Sequence, residues 1–239
     1  MYFDSKLIPG KLIKRYKRFL TKIQLNNKFV TAHCPNPGSM LGISNPGSGV
    51  FISKASNKKR KLKYTLELID LGNGNLVGVN TLKANRIIEE ALNQKKIQEL
   101  KHFHDIKREV PCGGDSRIDF LLAKKGTECF LEVKSVTLRR NTEEKEGIAE
   151  FPDSVTARGS KHLNTLSKVV KRGGNAIVLY LIQRSDCKKF KIAEDIDPDY
   201  MKAMKSAISA GVKILCYCCK ISPNGIHLDK KIKFSTVKK

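Results

Sequence analysis

The stretch that decides how this chain is read is RIDFLLAKKGTECFLEVK, residues 117–134. Two apolar runs flank Lys124-Lys125-Gly126, and the pattern is that of a β-hairpin turning at Lys125-Gly126. In such a hairpin Asp119 lies opposite Glu132, and Arg117 lies opposite Lys134. Side chains alternate faces along a strand, so Glu132 and Lys134, two residues apart, share a face with their cross-strand partners. Asp119, Glu132 and Lys134 therefore meet on one patch, the carboxylate pair with Cβ atoms about 4.5–5.5 Å apart. Opposed carboxylates repel. Ile118, Phe120, Leu122, Leu131 and Val133 around them make charge expensive. A divalent cation held by Asp119 and Glu132 resolves the conflict, because Mg²⁺ takes carboxylate oxygens and keeps waters for chemistry. A lysine beside it can orient the attacking water. The competing reading is an exposed hairpin edge on which Lys134 and Arg117 merely offset the two acids.

Working outward, the chain after residue 80 reads as α/β, in the order α-β-β-β-α-β-α-β. A helical period runs from Thr81 to about Leu100, capped by Asn80 or Thr81. Strands IKREV, RIDFLLA and CFLEVKSVTL follow, then a polar stretch, 139–150, that reads as a loop. A helix over 159–172 stops at Gly173-Gly174. AIVLYLIQ has the continuous apolar character of a strand covered on both faces. A helix over 197–210, the strand VKILCYCCKI and a turn at Gly225 complete the order. Before residue 80 the pattern is strand and turn. RFLTKIQL and KFVTAHC flank Asn26-Asn27, then GVFISK, KYTLELIDL and LVGVN follow. About five short strands without a long helix suggest an OB-like β-barrel. The predicted organisation is a barrel over 1–80 and an α/β domain with a mixed central sheet over 81–239 (α+β overall).

The chain has 239 residues, 40% of them apolar, which excludes collagen-like, disordered and disulfide-scaffold classes. Its 46 Lys and Arg against 23 Asp and Glu give a net charge of +23, an attractor for polyanions and above all for nucleic acid. Residues 1–80 carry 14 basic against 3 acidic side chains, about twice the positive charge density of the remainder. A Lys-rich genome would inflate charge in the same way without a nucleic-acid partner. The seven cysteines read as reduced thiols, and Cys216-x-x-Cys219 has no second ligand pair at zinc spacing. No apolar run is long enough to span a bilayer. The N-terminus lacks an apolar core and small-residue cleavage site, so a cytoplasmic chain is expected.

Three further words carry candidate binding groups. In HCPNPGSM, 33–40, prolines and Gly38 fix a tight loop on which His33, Asn36 and Ser39 suit phosphates or base edges. Lys58, Lys59, Arg60 and Lys61 form a basic run that can track a nucleic-acid backbone or be a solvated turn. Tyr64 and Phe51 are candidate stacking platforms or core residues. In FPDSVTARGSKHL, 151–163, Arg158 and Lys161 stand at a helix start, a natural phosphate site. His162 beside them suits either a functional or a packing role.

Asp119 followed by Glu132-x-Lys134 on the next strand resembles the PD-(D/E)xK nuclease superfamily. HCPNPGSM, NKKRKLKYTLELI, SRIDFLL, CFLEVKSVTL and FPDSVTARGSKHL together closely resemble the sugar fermentation stimulation protein A family over essentially the whole chain. That resemblance implies an N-terminal OB-like domain joined to a nuclease-like domain, and DNA binding of low sequence specificity. An established enzymatic activity does not come with that family; it is the PD-(D/E)xK pattern that implies Asp119, Glu132 and Lys134 as catalytic residues and Mg²⁺ or Mn²⁺ as cofactor. The superfamily adds an acidic residue on the preceding helix, best matched by Glu90, with Glu89 beside it; Glu109 is a further acidic candidate. Ile118 stands where the superfamily name has Pro. The alternative function is a non-catalytic DNA-binding regulator of sugar-utilisation genes of the maltose type.

Overall fold

The computed structural model describes residues 1–57, 59–114, 116–140 and 147–235. The first six strands are β1 (Ile8–Tyr16), β2 (Leu20–Leu25), β3 (Lys28–His33), β4 (Gly49–Lys54), β5 (Tyr64–Gly72) and β6 (Asn75–Gly78). They pair in the order β3-β2-β1-β4-β5-β6, and a parallel β3–β5 contact, Ala32 to Tyr64 and His33 to Thr65, closes β1–β5 into a barrel. The Asn26-Asn27 turn joins β2 and β3 with Asn26 at φ 49°, the left-handed conformation that tight hairpins need. Alternate residues point inward, so Leu12, Ile23, Ala32, Val50, Ile52, Leu66 and Ile69 fill one core. The sequence reading missed β1. Its segment, IPGKLIKRY, carries Pro, Gly and three charges, but Gly10 is required: a Cβ there would stand 2.7 Å from Leu25.

A short 3-10 turn, Thr81–Lys83, leads into α1 (Ala84–Asn93). Asn80 caps the turn by accepting from the Leu82 N–H at 3.1 Å. The helix is shorter than predicted. Lys95 at φ 54° and the Lys96 N–H to Ala91 carbonyl bond terminate it, and Ile97 and Leu100 reach the core from the turns beyond. Next come β7 (Asp105–Pro111), β8 (Arg117–Lys124), β9 (Thr127–Val136) and β10 (Ile148–Phe151), then α2 (Ala157–Lys171). They are followed by β11 (Asn175–Ile182), β12 (Lys189–Ile192), α3 (Pro198–Ser209), β13 (Lys213–Ser222), β14 (Gly225–Lys231) and β15 (Lys233–Phe234).

The main sheet runs β14-β13-β11-β9-β8-β7, with β9, β11 and β13 parallel and antiparallel strands at both edges. α1 covers one face and α2 with α3 the other, so β11 is buried on both sides, as its apolar run demands. The strand KILCYCCKI divides between the two cores: Leu215, Tyr217 and Cys219 face one, Cys216 and Cys218 the other. All seven cysteines are buried and free. The predicted loop over 139–150 is corrected at its end, where 148–151 form β10; residues 141–146 lie outside the described residues. β10 exists because it pairs in parallel with β12, which in turn pairs with β15, a long-range contact with no local signal. Among the described residues, no helix is long and apolar enough to cross a membrane.

Candidate active site

β8 and β9 pair in the register that a turn at Lys125-Gly126 dictates, from Lys124–Thr127 to Phe120–Leu131. The regular ladder stops there because the Asp119 side chain enters it. Asp119 Oδ2 accepts the Val133 N–H at 2.7 Å, and Oδ1 accepts from Asn85 Nδ2 on α1 at 2.7 Å. On the other side, pairing with β7 skips Glu109, which is held at φ 51° between the Arg108–Phe120 and Val110–Ile118 pairs. A strained residue opposite Asp119 is the kind of backbone feature that collects at functional sites. Burial, and secondarily the charge of Glu132, push the Asp119 carboxyl up to about 6.

Glu132 is 3% exposed. Its Oε1 accepts from Lys134 Nζ at 2.8 Å and from His162 Nδ1 at 2.5 Å. Burial pushes its carboxyl up, but His162 and Lys134 outweigh that and hold it below its ordinary value. An ionised carboxylate only accepts, so His162 carries its proton on Nδ1; Arg158 Nε, 3.5 Å from Nε2, faces the ring's remaining acceptor. Glu132 Oε2 is buried with no hydrogen-bond partner among the described residues. A bare, buried carboxylate oxygen beside a second carboxylate is costly unless a cation takes it. The donor set therefore fits a hard divalent ion, with Asp119 and Glu132 Oε2 as the residues that would hold it. Among the described residues no group of three His, Cys, Asp or Glu side chains is placed to hold a metal. Two carboxylates with water making up the rest is the pattern Mg²⁺ accepts.

The other acidic candidates lie elsewhere. Glu90 bonds the Met1 amine at 2.6 Å and faces His227 at 3.4 Å, against β14 rather than Asp119. Glu89 pairs with Arg108, and Glu109 is exposed. Asn85 is the residue that α1 delivers to the site. Sequence reasoning missed it, since an amide on an amphipathic helix carries no signal of its own.

Two concave surfaces flank the cluster. Arg117, Arg158 and Lys161 line a cavity of about 520 Å³ together with Ser116, Ala157 and His162, which places three cations over the histidine that holds Glu132. On the barrel side, a cleft of about 380 Å³ runs between the two domains, lined by Arg18, Asn36, Gly38, Lys134 and Glu150 among others.

The HCPNPGSM loop forms one wall of that cleft, and its polar groups are spent on holding it there. Asn36 is buried, donates to the Val79 carbonyl at 3.2 Å and accepts the Gly38 N–H at 2.9 Å. Ser39 Oγ donates to the Asp153 carbonyl at 2.6 Å, and the Met40 N–H donates to Asp153 Oδ2 at 3.1 Å. Arg15 binds the carbonyls of Asn36, Gly38 and Ser39, each at 2.8 Å. Gly38 is compulsory, since a Cβ would lie 2.3 Å from the Asp153 carboxylate. Asn36 and Ser39, expected to face nucleic acid, are thus spent within the protein: Asn36 holds the loop on the barrel, and Ser39 with Met40 clasps Asp153 of the other domain. His33 is half-buried, and burial, then the Arg60 charge, lowers its imidazole. In the basic run, Lys58 lies outside the described residues, Lys59 and Lys61 are exposed, and Arg60 donates to Thr65 Oγ1 at 2.9 Å. Phe51 and Tyr64 pack against the cores.

Comparison with known proteins agrees with this architecture. Residues 13–79 match the family model "SfsA N-terminal OB domain", and residues 82–225 match "Sugar fermentation stimulation protein RE domain". The chain belongs to the sugar fermentation stimulation protein family. The homologue from Pelagibacter ubique is 49% identical over 98% of both chains, and that from Nitrosococcus oceani 45% identical over 97% of this chain and 98% of its own. Among solved structures, that of Pyrococcus furiosus SfsA in complex with Ca²⁺ superposes with a TM-score of 0.89 at 25% identity, covering 99% of this chain and 98% of that one.

Proposed function

We propose that this family member is a divalent-metal-dependent nuclease of low sequence specificity, with DNA as its substrate. The observation that carries the reading is Glu132 Oε2, buried and unpartnered beside an Asp119 whose own proton is held up to about 6. Mg²⁺ or Mn²⁺, when bound by these two side chains, supplies a Lewis acid and a water of lowered pKa. Lys134, anchored on Glu132 Oε1 and lining the cleft, positions the attacking water and faces the scissile phosphate. Arg158, Lys161 and Arg117 hold flanking phosphates over the cavity they line. His162 fixes Glu132 through Oε1 and so leaves Oε2 for the cation. The relative from Pyrococcus furiosus, solved with Ca²⁺, supports an oxygen-ligated cation in this family.

One observation favours a second reading, a nucleic-acid-binding protein without turnover. α1 presents the neutral Asn85 to Asp119 where the nuclease pattern expects an acid. Lys134→Ala separates the two. A nuclease loses cleavage of labelled DNA by about 100-fold or more, the usual worth of a positioned catalytic group, while binding in chelator changes little. Binding with no cleavage by the wild type in Mg²⁺ or Mn²⁺ would leave the second reading standing.

A further inference from the structure

The cleft between the domains holds a second unsatisfied acid that the proposed chemistry does not use. Glu150, on β10, lines the cleft with Lys134 and Arg18 and is 1% exposed. Its Oε2 is gripped by Arg140 through Nε, at 2.9 Å, and Nη2. Its Oε1 is buried and has no hydrogen-bond partner among the described residues. Arg140 is in turn braced by Asp195, so the carboxylate is oriented from behind, its free oxygen left over. A buried acceptor without a donor is a standing cost that a ligand's N–H would remove.

The size and lining of the cleft say what that ligand is. About 380 Å³ is in the range of small-molecule sites, far too little for a duplex but enough for one nucleotide. The clasp of loop residues 36–40 on Asp153 closes one wall, so a base enters only when it is splayed out of a stack. Arg18 and Lys134 suit the phosphates on either side of it. Carboxylate oxygens accept from exocyclic amines, as from cytosine N4, whereas the thymine imide N–H is flanked by two carbonyl oxygens that repel a carboxylate.

We propose that this cleft is a single-nucleotide subsite in which Glu150 Oε1 selects unpaired bases bearing an exocyclic amine. The inference rests on the nucleic-acid reading above and adds its substrate class, a single strand or an extruded nucleotide. Glu150→Gln gives a specific consequence. Arg140 needs an acceptor, so the amide oxygen stays on it and the NH₂ takes the place of Oε1. The subsite then offers a donor, and the preference turns toward thymine.

The test is fluorescence anisotropy with labelled oligo-dC and oligo-dT octamers, in chelator, for wild type and Glu150→Gln, with melting curves to confirm that both are folded. The wild type is expected to bind oligo-dC about tenfold tighter than oligo-dT, the size of one charge-assisted hydrogen bond. The variant is expected to reverse that order, a result that a damaged fold cannot imitate. Equal affinities in the wild type, or a preference untouched by the substitution, would overturn the subsite alone. No binding to either oligomer, nor to duplex DNA at low salt, would overturn the subsite and the nuclease reading together.

Discussion

Among the charge clusters of the C-terminal domain, two are built on opposite principles. Around Asp186 every charge has its complement. Arg184, 4% exposed, donates to both Asp186 oxygens at 2.9 and 2.8 Å and to the Thr137 carbonyl, and Arg139 adds a bond to Asp186 Oδ2 at 2.9 Å. Burial pushes Asp186 up, but the two arginines outweigh it and hold its carboxyl below the ordinary range. Around Asp119 and Glu132 the acids face each other, one is pushed up to about 6 and the other keeps a bare oxygen. The first cluster is complete without a ligand. The second leaves two acids in mutual repulsion and one acceptor unmet, the cost that the proposed cation would remove.

Substitutions that break the comparison should rank accordingly. Arg184→Met removes one of the two arginine partners of the largely shielded Asp186 and leaves the Thr137 carbonyl without its donor, and should cost roughly 3 kcal/mol. In a chain of this size that lowers the melting temperature on the order of 10 °C, measurable by calorimetry. Asp119→Asn acts on the incomplete cluster and should change stability by no more than about 1 kcal/mol, because it relieves repulsion with Glu132. Its effect should fall on cleavage, with loss to background in a labelled-DNA assay. A destabilisation as large as that of Arg184→Met would mean that Asp119 is structural.

A buried acid in the barrel sharpens the contrast at a smaller scale. Glu67 is 3% exposed and accepts from two neutral donors, Ser53 Oγ at 2.7 Å and Asn80 Nδ2 at 2.8 Å. Burial raises its carboxyl above the ordinary value of 4.5 despite those bonds. The folded state then binds this proton more tightly than the unfolded one. Its contribution is largest at acid pH and is lost as pH rises past 4.5 through the raised value. Glu67→Gln should flatten that decline by about 1 kcal/mol, read from urea midpoints between pH 4 and 8. An unchanged slope would show that the proton is not taken up there.

Much of this was legible in the sequence, for identifiable reasons. A period of two and the turn at Lys125-Gly126, where Gly126 takes φ 74°, fix the register that brings Asp119 and Glu132 together. What stayed hidden depends on contacts distant in sequence. Glu90 and Asn85 lie on the same short helix, and only its rotation against β9 and β14 decides which one meets Asp119. Asn36 and Ser39 have the residue types of a ligand loop, but Val79 and Asp153 consume them. Glu150 fell inside what reads as a polar loop, because parallel pairing of β10 with β12 leaves no local pattern.

The most direct test of the central contrast is a calorimetric titration of Mn²⁺ into the protein and into Glu132→Gln. One saturable site in the wild type, lost in the variant while its melting temperature is kept, is the result expected of a carboxylate pair built to receive a cation. No heat in the wild type, or the same binding in both, would contradict it.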